Sequence, residues 1–168
     1  MDILTLLVLG LMPTLMIVAG LHDLVTMKIP NWISLALVAA FPVAALLAGL
    51  TPADIGLHFA VGVAALLLGM AMFALNWVGG GDAKVLAAGC LWMGLSGSLM
   101  FLLYSALAGG VFSLALLTAR KIAPSYPGVP GWATRLLEPK GDIPYGVALA
   151  AGALLAFPAS DLVAAFTG

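Results

Sequence analysis

The sequence predicts an all-α integral membrane protein of about six transmembrane helices, with both termini on the non-cytoplasmic side. Of its 168 residues 64% are hydrophobic and only 8% are charged, and the mean hydropathy of +1.20 lies far outside the range of soluble domains. The few charges are also spaced so that the gaps between them have the length of a membrane span, about 20 residues. Finally, cations and anions segregate in a way that favours one topology.

Taken in order, the charge-free gaps predict spans over residues 3–21, 32–50 and 55–77, with the turn-like Leu50-Thr51-Pro52-Ala53-Asp54 separating the second from the third. The uncharged stretch between Lys84 and Arg120 is too long for one span, and Gly94-Leu95-Ser96-Gly97-Ser98 supplies a break. Two helices follow, the fourth over about residues 83–95 and short enough for a re-entrant segment. If it spans, Lys28, Lys84, Arg120, Lys121, Arg135 and Lys140 share one side, while Asp2, Asp54 and Asp161 share the other. The positive-inside rule selects this arrangement, with the loops after spans one, three and five in the cytoplasm. The last span covers residues 145–166. The long connection over residues 120–144 is rich in Pro and Gly, and its Trp132–Glu138 segment is expected to lie as an interfacial turn. No internal repeat appears, and residues 1–168 read as a single transmembrane domain. The first apolar run follows Asp2 with no basic region before it and reads as a retained span.

Composition also excludes functions. A net charge of −1 with six scattered cations makes no phosphate-tracking patch, so no nucleic-acid partner is expected. The single cysteine, Cys90, rules out an internal disulfide or a Cys-based metal site within one chain, and His22 and His58 fall at opposite membrane faces. No metal or cofactor is expected.

Asp23 and Asp82 carry the chemistry. The topology places them at about the same depth, at the cytoplasmic end of span one and start of span four. An ionisable residue at a helix centre costs roughly 2.5–3.5 kcal/mol, less near the membrane edge, and calls for a reason. Asp82 follows Gly79-Gly80-Gly81 and precedes a helix, so an N-cap role accounts for it structurally. Asp23 faces the negative end of its helix dipole and satisfies no orphan carbonyl, which leaves a solvated interface residue beside Lys28 as its structural reading. Together the two have a further use. Neighbouring carboxyls do not both ionise easily, so an acid and a base coexist, one activating water against a peptide carbonyl while the other bonds the carbonyl oxygen. The glycines, lacking Cβ atoms, admit an extended substrate close to Asp82. Gly-Gly-Gly-Asp-Ala-Lys lacks the Walker spacing and reads as no nucleotide loop.

Gly79-Gly80-Gly81-Asp82-Ala83-Lys84 resembles the Gly-x-Gly-Asp signature of membrane aspartic proteases, in the Gly-x-Gly-Asp-x-Lys form of the prepilin peptidases. Asp23, followed after five residues by Ile29-Pro30-Asn31, resembles that family's first aspartate, and Ile143-Pro144-Tyr145-Gly146 before a final apolar span is similar to an element of its short members. The resemblance implies an intramembrane aspartic endopeptidase in the bacterial cytoplasmic membrane. It would cleave the leader from type IV, Flp-like prepilins at the cytoplasmic face, with Asp23 and Asp82 catalytic and Gly79, Gly80, Gly81, Lys84, Pro30 and Asn31 supporting them or lining the substrate approach. Its partners would be the prepilin and the lipid bilayer. The Cys-x-x-Cys module of longer members is missing, so a peptidase-only form without methyltransferase activity is expected.

Other polar residues have structural readings: His22 as an interfacial neighbour of Asp23, Asn31 as a cap on span two that fixes the Asp23 loop, and Lys84 as either a snorkelling cation or a group that orients substrate. Trp32 and Tyr145 read as interfacial aromatics, Asp142 as a turn residue. The competing functions are a small proton-coupled transporter, disfavoured because the span interiors carry no charge, and a structural subunit packing through Gly and Ala faces.

Overall fold

The structure is a computed structural model and describes residues 3–122 and 130–167, so part of the long connection, residues 123–129, lies outside the described residues. All regular elements in it are helical. Helix α1 spans Ile3–Thr26 and buries Met12, Met16, Ala19, Gly20 and Asp23, a spacing that forms one stripe along the helix. It runs five residues past the predicted end. Asp23 therefore sits inside the last turn, on the buried face. The helix stops where Met27 adopts a left-handed conformation (φ 57°) and its N–H bonds Asp23 O at 2.8 Å.

Helix α2 covers Asn31–Leu47 and α3 covers Pro52–Ala74. The segment read as a turn over residues 50–54 is mostly helix start. Thr51 caps α3, its Oγ1 accepting from Asp54 N–H while Asp54 Oδ2 accepts from Thr51 N–H at 3.1 Å, with Pro52 in the first turn.

Helix α4, Gly80–Ile122, contains a break at a single residue, Gly94 (φ 71°, ψ −171°). Ser98 Oγ donates to Cys90 O, eight residues back, at 3.2 Å, and a Cβ added to Gly89 would fall 2.7 Å from Phe101 Cε1. In a straight helix residues 89 and 101 stand about 18 Å apart, so the two arms fold back on each other as a hairpin. The predicted break over residues 94–98 is thus real but sharper, since one glycine reverses the chain. The backbone of Gly94 is open essentially to glycine alone, and a Cβ there would run into Asp161 and the His58 ring. Gly94→Ala is expected to destabilise the protein by at least about 1–3 kcal/mol, read as a lower melting temperature in detergent.

The chain continues through α5 (Gly131–Leu136), α6 (Gly146–Ala156), a 3₁₀ turn at Phe157–Ala159, and α7 (Asp161–Thr167). Helices α3 and α6 pack on α4, α1 on α6, and α2 on α4 and α1. Small residues permit the close approaches: Gly69 lies against Ala83, and Gly20 against Ala150. Trp92, fully buried, donates from Nε1 to Leu37 O at 2.9 Å and meets the Phe41 ring edge-on. His58, expected at a membrane face, is buried at the foot of this cluster. Its Nδ1 lies 2.7 Å from Leu91 O and its ring stacks on Phe41.

Among the described residues four helical stretches are long and apolar enough to cross a membrane: Ile3–Thr26, Pro52–Ala74, Gly80–Ile122 and Gly146–Phe166. The protein is a multi-pass helical membrane protein. The four differ from the six predicted spans for two reasons. Helix α2 has 17 residues and reaches only about 25 Å, and the two arms of α4, which fold back on each other at Gly94, are counted together as the one stretch Gly80–Ile122.

The hairpin sets the two ends of the bundle apart. Lys28, Lys84 and the start of α4 lie at one end, and Gly94, His58 and Asp161 at the other. Ser96 Oγ donates to Asp161 Oδ1 at 2.5 Å, tying the hairpin tip to α7.

Candidate active site

At the first of these ends, Asp23 and Asp82 line one open cleft of about 300 Å³ together with Met27, Lys28, Ile29 and the three glycines 79–81. The two carboxylates lie within range of each other's charge. Each is held from a different side. Asp23 is 5% exposed, and its Oδ2 accepts the Gly146 N–H at 2.8 Å, across 123 residues of chain. That amide is free because it stands at the start of α6, where backbone donors have no partner within the helix.

The structural reading of Asp82 was an N-cap. It is instead the third helical residue, reaching back so that Oδ2 accepts the Gly79 N–H at 3.2 Å. Its other oxygen, Oδ1, is buried with no hydrogen-bond partner among the described residues. A buried acceptor left in this state costs about 1–3 kcal/mol, and it is the atom of the site with bonding capacity to spare.

The three glycines are not equivalent. A Cβ on Gly79 would fall 2.8 Å from Asp82 Oδ2, and one on Gly81 3.1 Å from Ile29 Cβ and 3.3 Å from Ile29 O, whereas one on Gly80 would meet only the Phe73 ring at 3.5 Å. Gly80→Ala is therefore expected to keep activity within a few-fold of wild type and Gly81→Ala to lose about tenfold or more, since small displacements of reacting groups are costly. Initial rates of substrate cleavage at matched membrane levels check the contrast.

The turn carrying Ile29 is itself clamped. His22 Nδ1 lies 2.7 Å from Lys28 O, a carbonyl that accepts, and Thr26 Oγ1 donates to His22 O at 2.8 Å and to Lys28 O at 3.1 Å. His22 thus braces the loop after Asp23. Pro30 precedes α2 in an extended conformation, but Asn31 makes no cap on that helix. Its Oδ1 accepts from Lys84 Nζ at 2.8 Å, linking α2 to α4 beside the cleft. Lys84 accordingly neither snorkels free nor touches a carboxylate.

Sequence reasoning gave four residues no part in the site. Tyr145, read as an interfacial aromatic, shares a small cavity of about 80 Å³ with Asp82 and Ser105, behind the cleft. Ser105 Oγ is buried there without a partner among the described residues. Gly146 belongs at the site as the backbone partner of Asp23, and only its place in the Ile-Pro-Tyr-Gly element signalled it. Arg120 was missed as well: Nε donates to Leu136 O and Nη2 to Asp142 O, both at 2.8 Å, which ties the end of α4 to the strand of chain leading to Gly146.

A multi-pass helical membrane protein that brings two carboxylates into one glycine-walled cleft at the bundle end has the makings of an intramembrane hydrolase. The sequence profile of the type IV leader peptidase family matches residues 10–114, which include both aspartates and the glycines, and the chain belongs to that family. No curated protein and no solved structure matches it. Membership makes it a prepilin peptidase-type protease.

Proposed function

We propose that the chain removes the leader from a type IV prepilin of the Flp-like class, at the cytoplasmic face of the bacterial inner membrane, with Asp23 and Asp82 as the catalytic pair of an aspartic endopeptidase. The observation that carries this reading is the single cleft lined by both carboxylates and walled by Gly79, Gly80 and Gly81. In the mechanism, one carboxylate takes a proton from water as the water attacks the scissile carbonyl. The other, protonated, hydrogen-bonds the carbonyl oxygen and then protonates the leaving amine. Asp82 Oδ1, buried and without a partner among the described residues, is an acceptor that such a water would satisfy on entering the site, while Asp23 Oδ2 accepts the Gly146 amide.

The whole chain acts as one peptidase domain with six passes and both termini outside. The gathering of Lys28, Lys84 and Arg120 at the cleft end, with Asp54 and Asp161 at the other, supports a cytoplasmic cleft. Among the described residues no basic side chain is bonded to either carboxylate, though Lys28 lines the cleft, so both carboxylates are left to the substrate.

The test uses the purified protein in lipid vesicles and a precursor with a basic leader, a glycine junction and an apolar helix. Cleavage after the glycine, read by the mass of the new N-terminus, is the expected result. An intact precursor after prolonged incubation with folded protein overturns the reading.

A further inference from the structure

An apolar groove opens beside the cleft, in the side of the bundle, and holds about 430 Å³. Its walls are α2 and α3 and its floor is the first arm of α4. The two walls meet at one end. There Phe41 stacks on His58 with ring centroids 5.1 Å apart and meets Phe59 edge-on at 5.6 Å. Toward the other end the helices part, and the groove reaches the Asn31–Lys84 hydrogen bond. The result is a wedge with an aromatic stop at its deep end and a polar mouth.

That mouth adjoins the candidate active site through the chain itself. Asn31 stands two residues after Ile29 and Lys84 two residues after Asp82, and both Ile29 and Asp82 line the cleft. An apolar segment lying in the wedge, with its end at the mouth, is thereby delivered to the two carboxylates.

We infer that this groove receives the apolar helix of the substrate, the segment following the scissile bond. The inference rests on the leader-peptidase reading above and adds the place where the substrate's membrane segment docks. Along α4 the groove runs from Lys84 to Leu91, about 10 Å or two turns of a guest helix. Its volume accommodates the inward-facing side chains of those turns, while the rest of the guest stays in lipid. Ser34, Gly62, Ala87 and Ala88 keep the surface low enough for close helix approach. The Lys84 ammonium is held by a neutral amide oxygen, so its charge is left to a carbonyl oxygen of the substrate at the scissile bond, ahead of the guest helix, whose own start presents N–H donors. A lipid acyl chain fits the apolar part equally, but its headgroup would then occupy the mouth and close the route to the cleft.

Photo-crosslinking side chains at Val38 and Val63, which line the groove, and at Leu114, which faces out elsewhere at 68% exposure, are placed in an Asp82→Asn background and exposed to the labelled precursor. Adducts that map to the precursor's apolar helix from Val38 and Val63, with none from Leu114, are expected. Adducts with lipid alone, with a second copy of the chain, or in equal yield from Leu114 overturn the inference. As a second measure, Val38→Trp and Val63→Trp fill the wedge and are expected to raise KM for the helix-bearing precursor by about tenfold or more, while Leu114→Trp leaves it at the wild-type value. Unchanged KM in both groove variants overturns the docking site even where cleavage by wild type is intact. Failure of wild type to cut at all removes the peptidase reading instead.

Discussion

Asp82→Asn and Asp23→Asn are each expected to lower leader removal by at least about 10³-fold, or about 4 kcal/mol in barrier height. The substitution separates chemistry from structure because of how each side chain is held. An asparagine at position 82 keeps an oxygen to accept the Gly79 N–H, so the start of α4 retains its cap. An asparagine at position 23 can likewise turn its oxygen to the Gly146 N–H. Neither variant loses the hydrogen bond that places it, and melting temperatures in detergent are expected to stay near wild type. What each loses is the capacity to take or give a proton. A pair that works as acid and base also gives a bell-shaped dependence of kcat/KM on pH, with limbs that belong to the pair rather than to either residue. Residual activity above a tenth of wild type in either variant, at matched protein levels, would remove that aspartate from the mechanism.

The fold was legible wherever charge spacing alone decides. The presence and order of α1, α2 and α3 follow from gaps between charged residues, because lipid tolerates few charges and demands a hydrogen-bonded backbone. Boundaries were harder. The stretch around Thr51 looks like a turn because Pro and Asp favour turns, yet the same residues make a helix start when Thr51 and Asp54 exchange bonds. The end of α1 was placed too early because His22 and Asp23 are polar. The helix continues since their polar groups find partners within the fold, His22 in the nearby Lys28 carbonyl and Asp23 in the distant Gly146 amide. The reversal at Gly94 was narrowed only to a run of five residues, because Gly-rich sequence announces a break without saying which residue takes the unusual φ.

Within the site, the two aspartates and the glycine run were readable from residue type and order, whereas their supports were not. Asn31 was read as a cap, and its partner Lys84 lies 53 residues away, a distance no local pattern spans. Tyr145 and Ser105 reach Asp82 only through packing of α6 and the second arm of α4. One signal was available and unused. Met12, Met16, Ala19 and Gly20 lead to Asp23 on a single helical face, and a stripe that narrows from large to small residues toward an acid marks a face packed tightly against another helix.

That packing sets up the second large effect. Gly146→Ala is expected to lower kcat by about 10²-fold while the protein still accumulates in the membrane, because misplacing a catalytic group by about 1 Å has an effect of that order. A Cβ at position 146 would lie 2.9 Å from Asp23 Cβ, 2.9 Å from Asp23 Oδ2 and 2.9 Å from Ile29 Cδ1. None of these neighbours is free to yield. Asp23 is anchored in the last turn of α1, and Ile29 is wedged against Gly81, in a turn that His22 and Thr26 clamp. Helix α1 must move away from α6 or the Asp23 carboxylate must turn, and both routes break the bond from the Gly146 amide. Gly20→Ala strains the same helix pair one turn earlier, where its Cβ would lie 2.8 Å from Ala150 Cβ, so it shifts α1 without touching the carboxylate. If the spacing of α1 and α6 positions Asp23, both variants lose kcat and Gly146→Ala loses more. If Gly146→Ala cleaves at the wild-type rate, the Gly146 amide plays no part in holding the aspartate.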